Sequence, residues 1–158
     1  MNEEKQMYME KIMKEVIPSR PSLSKEIIEQ AVNKVISENK SIFHDIDDYG
    51  IEDIVEKYHY GMDGYEIAKK LDDNGWEMNL EIANALDEIG YNVKSILSEL
   101  EWEWQKEYNI QQQFEIGTKI KEGVISGISQ YHAACYEVRH NENPNSFKII
   151  KFENAIPV

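Results

Sequence analysis

Near the C-terminal end, His132, Cys135 and His140 are the residue types that make a thiolate nucleophile with a histidine base. Their spacing argues against that pairing. Side chains alternate along a strand, so both histidines fall with Ala134, Tyr136 and Val138 on one face, and Cys135 falls on the other. The expectation is a small buried or half-buried thiol. A second constellation, Asp45, Asp47, Gly50, Asp53 and Glu56, has the spacing of a twelve-residue calcium loop. That loop also wants a small oxygen ligand where Tyr49 stands and an apolar residue where Glu52 stands, and Phe43 and His44 do not continue the stripe of an incoming helix. The spacing is read as coincidence in an acidic loop. With no paired histidine ligands and no phosphate loop, neither a metal nor another cofactor is expected, and no catalytic residue is assigned.

The third candidate is a sentence written twice. Residues 66–76, EIAKKLDDNGW, recur as residues 81–91, EIANALDEIGY. Each copy puts acids just before a glycine: Asp72 and Asp73 before Gly75, Asp87 and Glu88 before Gly90. If both glycines end helices, those acids sit where the helix macrodipole disfavours negative charge by about 0.3–1 kcal/mol each. Either they are tolerated solubilising charge, or they form a surface that meets a basic partner. Trp102 is a further anomaly, about half a turn from the inner stripe of its helix. It either packs beneath other elements or anchors an interface. The expected partner-binding set is Asp72, Asp73, Gly75, Trp76, Asp87, Glu88 and Trp102.

Charge is localised along the chain. The net charge is −13, and residues 45–107 hold 18 acidic against 5 basic side chains, while the flanking segments are each balanced. Such a surface repels phosphate, so nucleic acid and anionic membrane are poor partners and a protein with a basic surface is the expected one. The chain has 158 residues, 41% of them hydrophobic, which suffices for a buried core. No membrane-spanning run and no secretory signal are visible, and the one cysteine excludes an internal disulfide framework. The expected compartment is the cytoplasm; the oligomeric state is not readable.

Periodicity supplies the elements. Met9, Ile12, Met13 and Val16 mark a helix stopped by Pro18 and Pro21. Ser24 is placed to cap a second, with Ile27, Ile28, Ala31, Val32, Val35 and Ile36 inward. Residues 39–50 read as a connection, and Ile51, Ile54, Val55 and Tyr58 as a short helix ending near Gly61. Asp63 and Glu66 have capping-box spacing for a helix ended by Gly75. Asn79 caps the next, with Leu80, Ile82, Ala83, Leu86 and Ile89 inward and Gly90 as its stop. Asn92 caps a last one through Val93, Ile96, Leu97, Leu100, Trp104 and Tyr108. After Gln113 the period becomes two, and glycine-bearing or NENPNS turns separate the strands.

Asn74-Gly75-Trp76, Ala85-Leu86, Asn92-Val93 and the following Ile96, Leu97 and Leu100 together resemble the ubiquitin-associated-like (UBA-like) domain over about residues 62–107. The resemblance implies three short helices and a partner contact at the Gly75-Trp76 loop; it departs from the family at Asn74 and Ile96. Gly123-Val124-Ile125-Ser126-Gly127-Ile128 is similar to the core of small SH3-like and KOW-like barrels. The expected class is α+β, helical for the N-terminal two-thirds with a small antiparallel SH3-like β-unit. Its segments are 1–44 (N-terminal helices), 45–112 (acidic, UBA-like) and 113–158 (β-unit). The leading function is a non-enzymatic protein-binding module. In its sharpest form it imitates nucleic acid, as the anti-restriction and anti-CRISPR inhibitors of phages and mobile elements do. The alternatives are a UBA-like adaptor and a metal-dependent enzyme or accessory subunit.

Overall fold

The computed structural model describes residues 3–158, apart from the side chains of 10–16. Among the described residues five helices, α1 (Glu3–Val16), α2 (Lys25–Glu38), α3 (Asp48–Lys57), α4 (Gly64–Asp73) and α5 (Leu80–Glu107), precede four strands. These are β1 (Lys119–Ile120), β2 (Gly123–Ile128), β3 (Cys135–His140) and β4 (Phe147–Lys151), in one antiparallel sheet of order β1-β2-β3-β4. The class is α+β. The chain divides into two compact units, Ser22–Glu99 and Met1–Pro21 with Leu100–Val158, rather than at the expected 44 and 112. Of the stripe expected on α1, Met9 is exposed, and Ile12, Met13 and Val16 lie outside the described residues. No described helix is long and apolar enough to cross a membrane.

In the Ser22–Glu99 unit three of the four expected helix starts hold. The Ser24 hydroxyl accepts the Ile27 amide, Asp63 and Glu66 close a reciprocal capping box, and Asn79 accepts the Ile82 amide at 2.9 Å. Ile27, Ala31, Val32 and Val35 on α2, Ile54 and Val55 on α3, and Ile67, Ala68 and Leu71 on α4 are buried. α2 packs on α3, and α3 on α4. Asp47 caps α3 by accepting the Gly50 amide at 2.9 Å, so helix begins inside the stretch expected to be a connection. Residues 48–57 are therefore helix, and the backbone of a twelve-residue calcium loop is not formed there.

The two copies of the repeated sentence end differently. At the first, Gly75 takes φ +91°, its amide donates to the Asp72 carbonyl, and the Trp76 amide reaches back to Leu71 at 3.1 Å. This is the Schellman pairing that closes a helix through a left-handed residue. At the second, α5 runs through Gly90 without a break to Glu107. Gly90 is not a stop and Asn92, which is buried, is not a cap. The two short helices that the UBA-like resemblance implies for residues 79–108 are one helix of 28 residues.

In the other unit, Trp104, Ile120, Ile125, Ala134, Tyr136, Val138, Phe152 and Ala155 form one core. A bulge between Ile125 and Gly127 bends β2. After β4 a single 3₁₀ turn, Phe152–Asn154, redirects the chain, and Pro157 bridges to Ile120, so the tail covers the outer edge of β1. Arg20 lies at the centre of this unit. Its guanidinium donates to the Ala133 and Ala134 carbonyls at 2.7 and 2.8 Å, to Glu101 at 3.1 Å and to Glu153 at 2.6 and 3.0 Å. It also lies 5.1 Å from the centroid of the Trp104 ring, and its side chain is only 6% exposed. The fork geometry of guanidinium suits these divergent acceptors, which the single ammonium of a Lys in its place would not reach together.

Candidate functional site

Cys135 is the small buried thiol that the strand alternation implied. Its thiol is buried and donates to the Ala133 carbonyl at 3.2 Å. Burial raises the thiol above its ordinary pKa, and the neighbouring Arg20 offsets this only in part. His132 instead pairs with Ser129, Nδ1 to Oγ at 3.1 Å. That hydroxyl also accepts the Tyr131 and His132 amides and is buried, so it closes a turn rather than presenting a nucleophile. Among the described residues no group of three or more His, Cys, Asp and Glu side chains is placed to hold a metal ion.

The expected partner-binding residues are divided by the structure. Asp72 and Asp73 are exposed in the last turn of α4, as the repeat implied. Asp87 and Glu88 are exposed too, but they stand mid-helix on α5, where the argument from a helix end does not apply. Asp87 has a structural partner: its Oδ1 accepts the Gly64 amide at 2.8 Å, one of the amides that a helix start leaves without an intrahelical acceptor. Gly64 is required there, because a Cβ would overlap the Ala83 carbonyl and the Asp87 backbone nitrogen. α4 and α5 are pinched together at this point.

Trp76 is half-buried, and its Nε1 donates to Asp53 at 2.7 Å, while the Asn74 amide donates to the same carboxylate at 3.0 Å. The turn after α4 is thus tied down on α3. Trp102 is 38% exposed, whereas Trp104 is buried and donates to the Pro18 carbonyl at 2.8 Å.

From the pinch at Gly64 the two helices open toward the turn that joins them. Tyr65, Ala68 and Asp72, at i, i+3 and i+7, line one wall; Leu80 and Ala83 line the other, and Met78 completes it from the turn. The groove has a volume of about 370 Å³. Leu80, expected on the inner face, is 76% exposed, and Tyr65 is 74% exposed. Asp72 is the acid in its lining and makes no ion pair among the described residues. Lys69 is the cation in its lining. The sequence reading missed Tyr65 and Leu80. The available signal was the tyrosine placed two residues after the Asp63 cap, off the inward stripe of Ile67, Ala68 and Leu71.

Comparison with protein-family models, curated proteins and solved structures finds no match to this chain.

Proposed function

We propose that the chain is a non-enzymatic protein-binding module whose Ser22–Glu99 unit receives a partner with a basic surface. The observation that carries this reading is the concentration of charge. The unit holds 18 acidic against 7 basic side chains, and Asp72, Asp73 and Glu88 are exposed without ion-pair partners among the described residues. Acid at the end of α4 opposes the macrodipole, so it is not chosen for helix stability. In the sharpest form of the reading, these carboxylates stand in for phosphates and occupy a DNA- or RNA-binding protein.

The test is affinity capture at a series of ionic strengths, with mass-spectrometric identification and an Asp72→Asn/Asp73→Asn/Glu88→Gln variant alongside. Asp87 is left in place because α4 depends on it. The expected partners are basic, are lost as salt rises, and are lost to the variant. Neutral or acidic partners whose binding ignores salt would overturn the reading. For the sharpest form, the captured protein should also lose its nucleic acid when this chain is added.

A further inference from the structure

We infer that the free edge of β4 pairs with the same edge of a second copy of this chain, antiparallel and about a two-fold axis at Ile149. The surface lies in the sheet, outside the Ser22–Glu99 unit, and so goes beyond the acidic-module reading.

The two edges of the sheet are treated differently. β1 is covered by the tail, where Pro157 bridges to Ile120, whereas β4 has β3 as its one strand neighbour among the described residues. The hydrogen bonds at the two ends of the β3–β4 ladder fix which backbone groups are spare. The His140 amide donates to the Ser146 carbonyl and the Phe152 amide to the Ala134 carbonyl, so the backbone groups of residues 146, 148, 150 and 152 face β3. The amides of Phe147, Ile149 and Lys151, and the carbonyls of Phe147 and Ile149, therefore point away from the sheet. Such a row fits one conformation, an extended strand. The side chains agree. Phe147 is 54% and Ile149 43% exposed, on the face opposite Ile150, which packs against the core.

The occupant follows from the register. Of the self-pairings that set outward groups against outward groups, the one centred on Lys148 opposes two like charges. The one centred on Ile150 runs Phe147 onto Glu153, which lies in the 3₁₀ turn and is held by Arg20. Centred on Ile149, the whole of β4 pairs, and more displaced registers pair less of it. Ile149 then exchanges both bonds with Ile149 of the second copy, and the Lys151 amide donates to the Phe147 carbonyl across the joint. On the exposed face Ile149 lies against its own copy and the Lys151 stem against the Phe147 ring; on the other face Lys148 stands opposite Ile150. Each charge of β4 thus lands on an apolar residue of its own reversed copy, so the strand is complementary to itself. The joint also avoids the acidic segment, since residues 108–158 hold five acidic and five basic side chains.

The experiment is analytical ultracentrifugation of the full chain over a concentration series at low and high salt, for the wild type, Ile149→Pro and Ile149→Lys. Proline removes an amide that β3 does not use, a change that a sheet edge tolerates, and lysine opposes like charges while keeping every backbone group. Circular dichroism checks the fold, and the lysine variant decides alone if proline disturbs it. Amide hydrogen exchange read by NMR reports the register. The wild type should form a reversible dimer that each substitution weakens by about tenfold or more. Protection of the Ile149 and Lys151 amides should rise with protein concentration. Salt should strengthen the dimer by screening two chains of net charge −13, the opposite of its effect on a basic partner. A wild type that stays monomeric to about 1 mM, a dimer that both variants leave intact, or growth beyond two copies would overturn the inference. The capture of a basic partner is decided separately, at carboxylates that neither variant alters.

Discussion

The Gly64 amide and the Asp87 carboxylate lie 2.8 Å apart, so an acid in the second copy of the repeat serves the helix that carries the first. The repeated acids are therefore not equivalent. Asp72 and Asp73 stand at a helix terminus without ion-pair partners among the described residues, and Asp87 holds a junction between helices.

Removing that junction should be measurable by urea unfolding. Asp87→Ala should cost about 1–2 kcal/mol, the range for a lost helix cap, and Asp87→Asn, which keeps an acceptor, should cost less. Gly64→Ala should be worse tolerated than an ordinary surface change, at about 1–3 kcal/mol, because it forces two backbones apart. An unaffected Gly64→Ala would show that α4 and α5 do not approach as closely as described.

Gly90 and Gly75 should respond to alanine with opposite signs. At Gly90 the new Cβ would meet only the Met62 carbonyl at 3.5 Å and the Tyr58 hydroxyl at 3.9 Å, ordinary contacts, and the helix gains about 0.5–1 kcal/mol. At Gly75 the left-handed φ makes alanine unfavourable by about 1–2 kcal/mol. Destabilisation by Gly90→Ala would argue for a helix break at that position.

Leu71 and Leu86 occupy equivalent places in the two copies, and both are fully buried. Truncating either to alanine should cost about 2–5 kcal/mol in denaturant unfolding. A loss well under that range at one of them would mean that its surroundings collapse into the vacated space.

Acid should release Arg20. Burial pushes the Glu153 carboxyl up, but the Arg20 hydrogen bond, its own backbone amide and the Arg20 charge outweigh this and hold it below the ordinary carboxylate range. Burial also works against the Arg20 charge, and the Glu153 hydrogen bond and charge, with the smaller contributions of Cys135 and Glu101, more than restore it. A depressed acid contributes stability above its unfolded-state pKa and loses it as pH falls through the folded value. The stability difference between the wild type and Glu153→Gln should thus be largest near neutrality and shrink in acid. Glu153 is partly exposed, so the effect is discounted by solvent screening. A difference that is constant from pH 7 to pH 3, across the whole carboxylate titration, would show that the ion pair does not contribute.

Cys135 should resist alkylation in the native protein and react promptly in denaturant, because its thiol is buried and hard to ionise. Equal rates in both conditions would place the thiol at the surface.

What the sequence disclosed was chiefly local. Ser24, Asp63 with Glu66, and Asn79 act within three residues, so their spacing alone announces the helix starts. The different fates of Gly75 and Gly90 are not local. Both glycines follow the same pattern, yet only the first is followed by a tryptophan that Asp53 secures from 23 positions away. Leu80 fits an inward helical stripe by spacing, but it begins α5 and faces out. Arg20 gave no signal at all, since its acceptors lie 81 to 133 residues along the chain.

Those separations set an order of assembly. Synthesis is vectorial, and residues 22–99 are contiguous, so that unit has its whole chain before the first strand of the sheet exists. Arg20, made early, waits for carbonyls at 133 and 134 and a carboxylate at 153. Closing a flexible loop of 133 residues costs about 4 kcal/mol in chain entropy, and prior collapse of the intervening unit lowers that cost. The guanidinium is therefore among the last groups to find its partners. In refolding, the slow phase should belong to the sheet and not to the acidic helices.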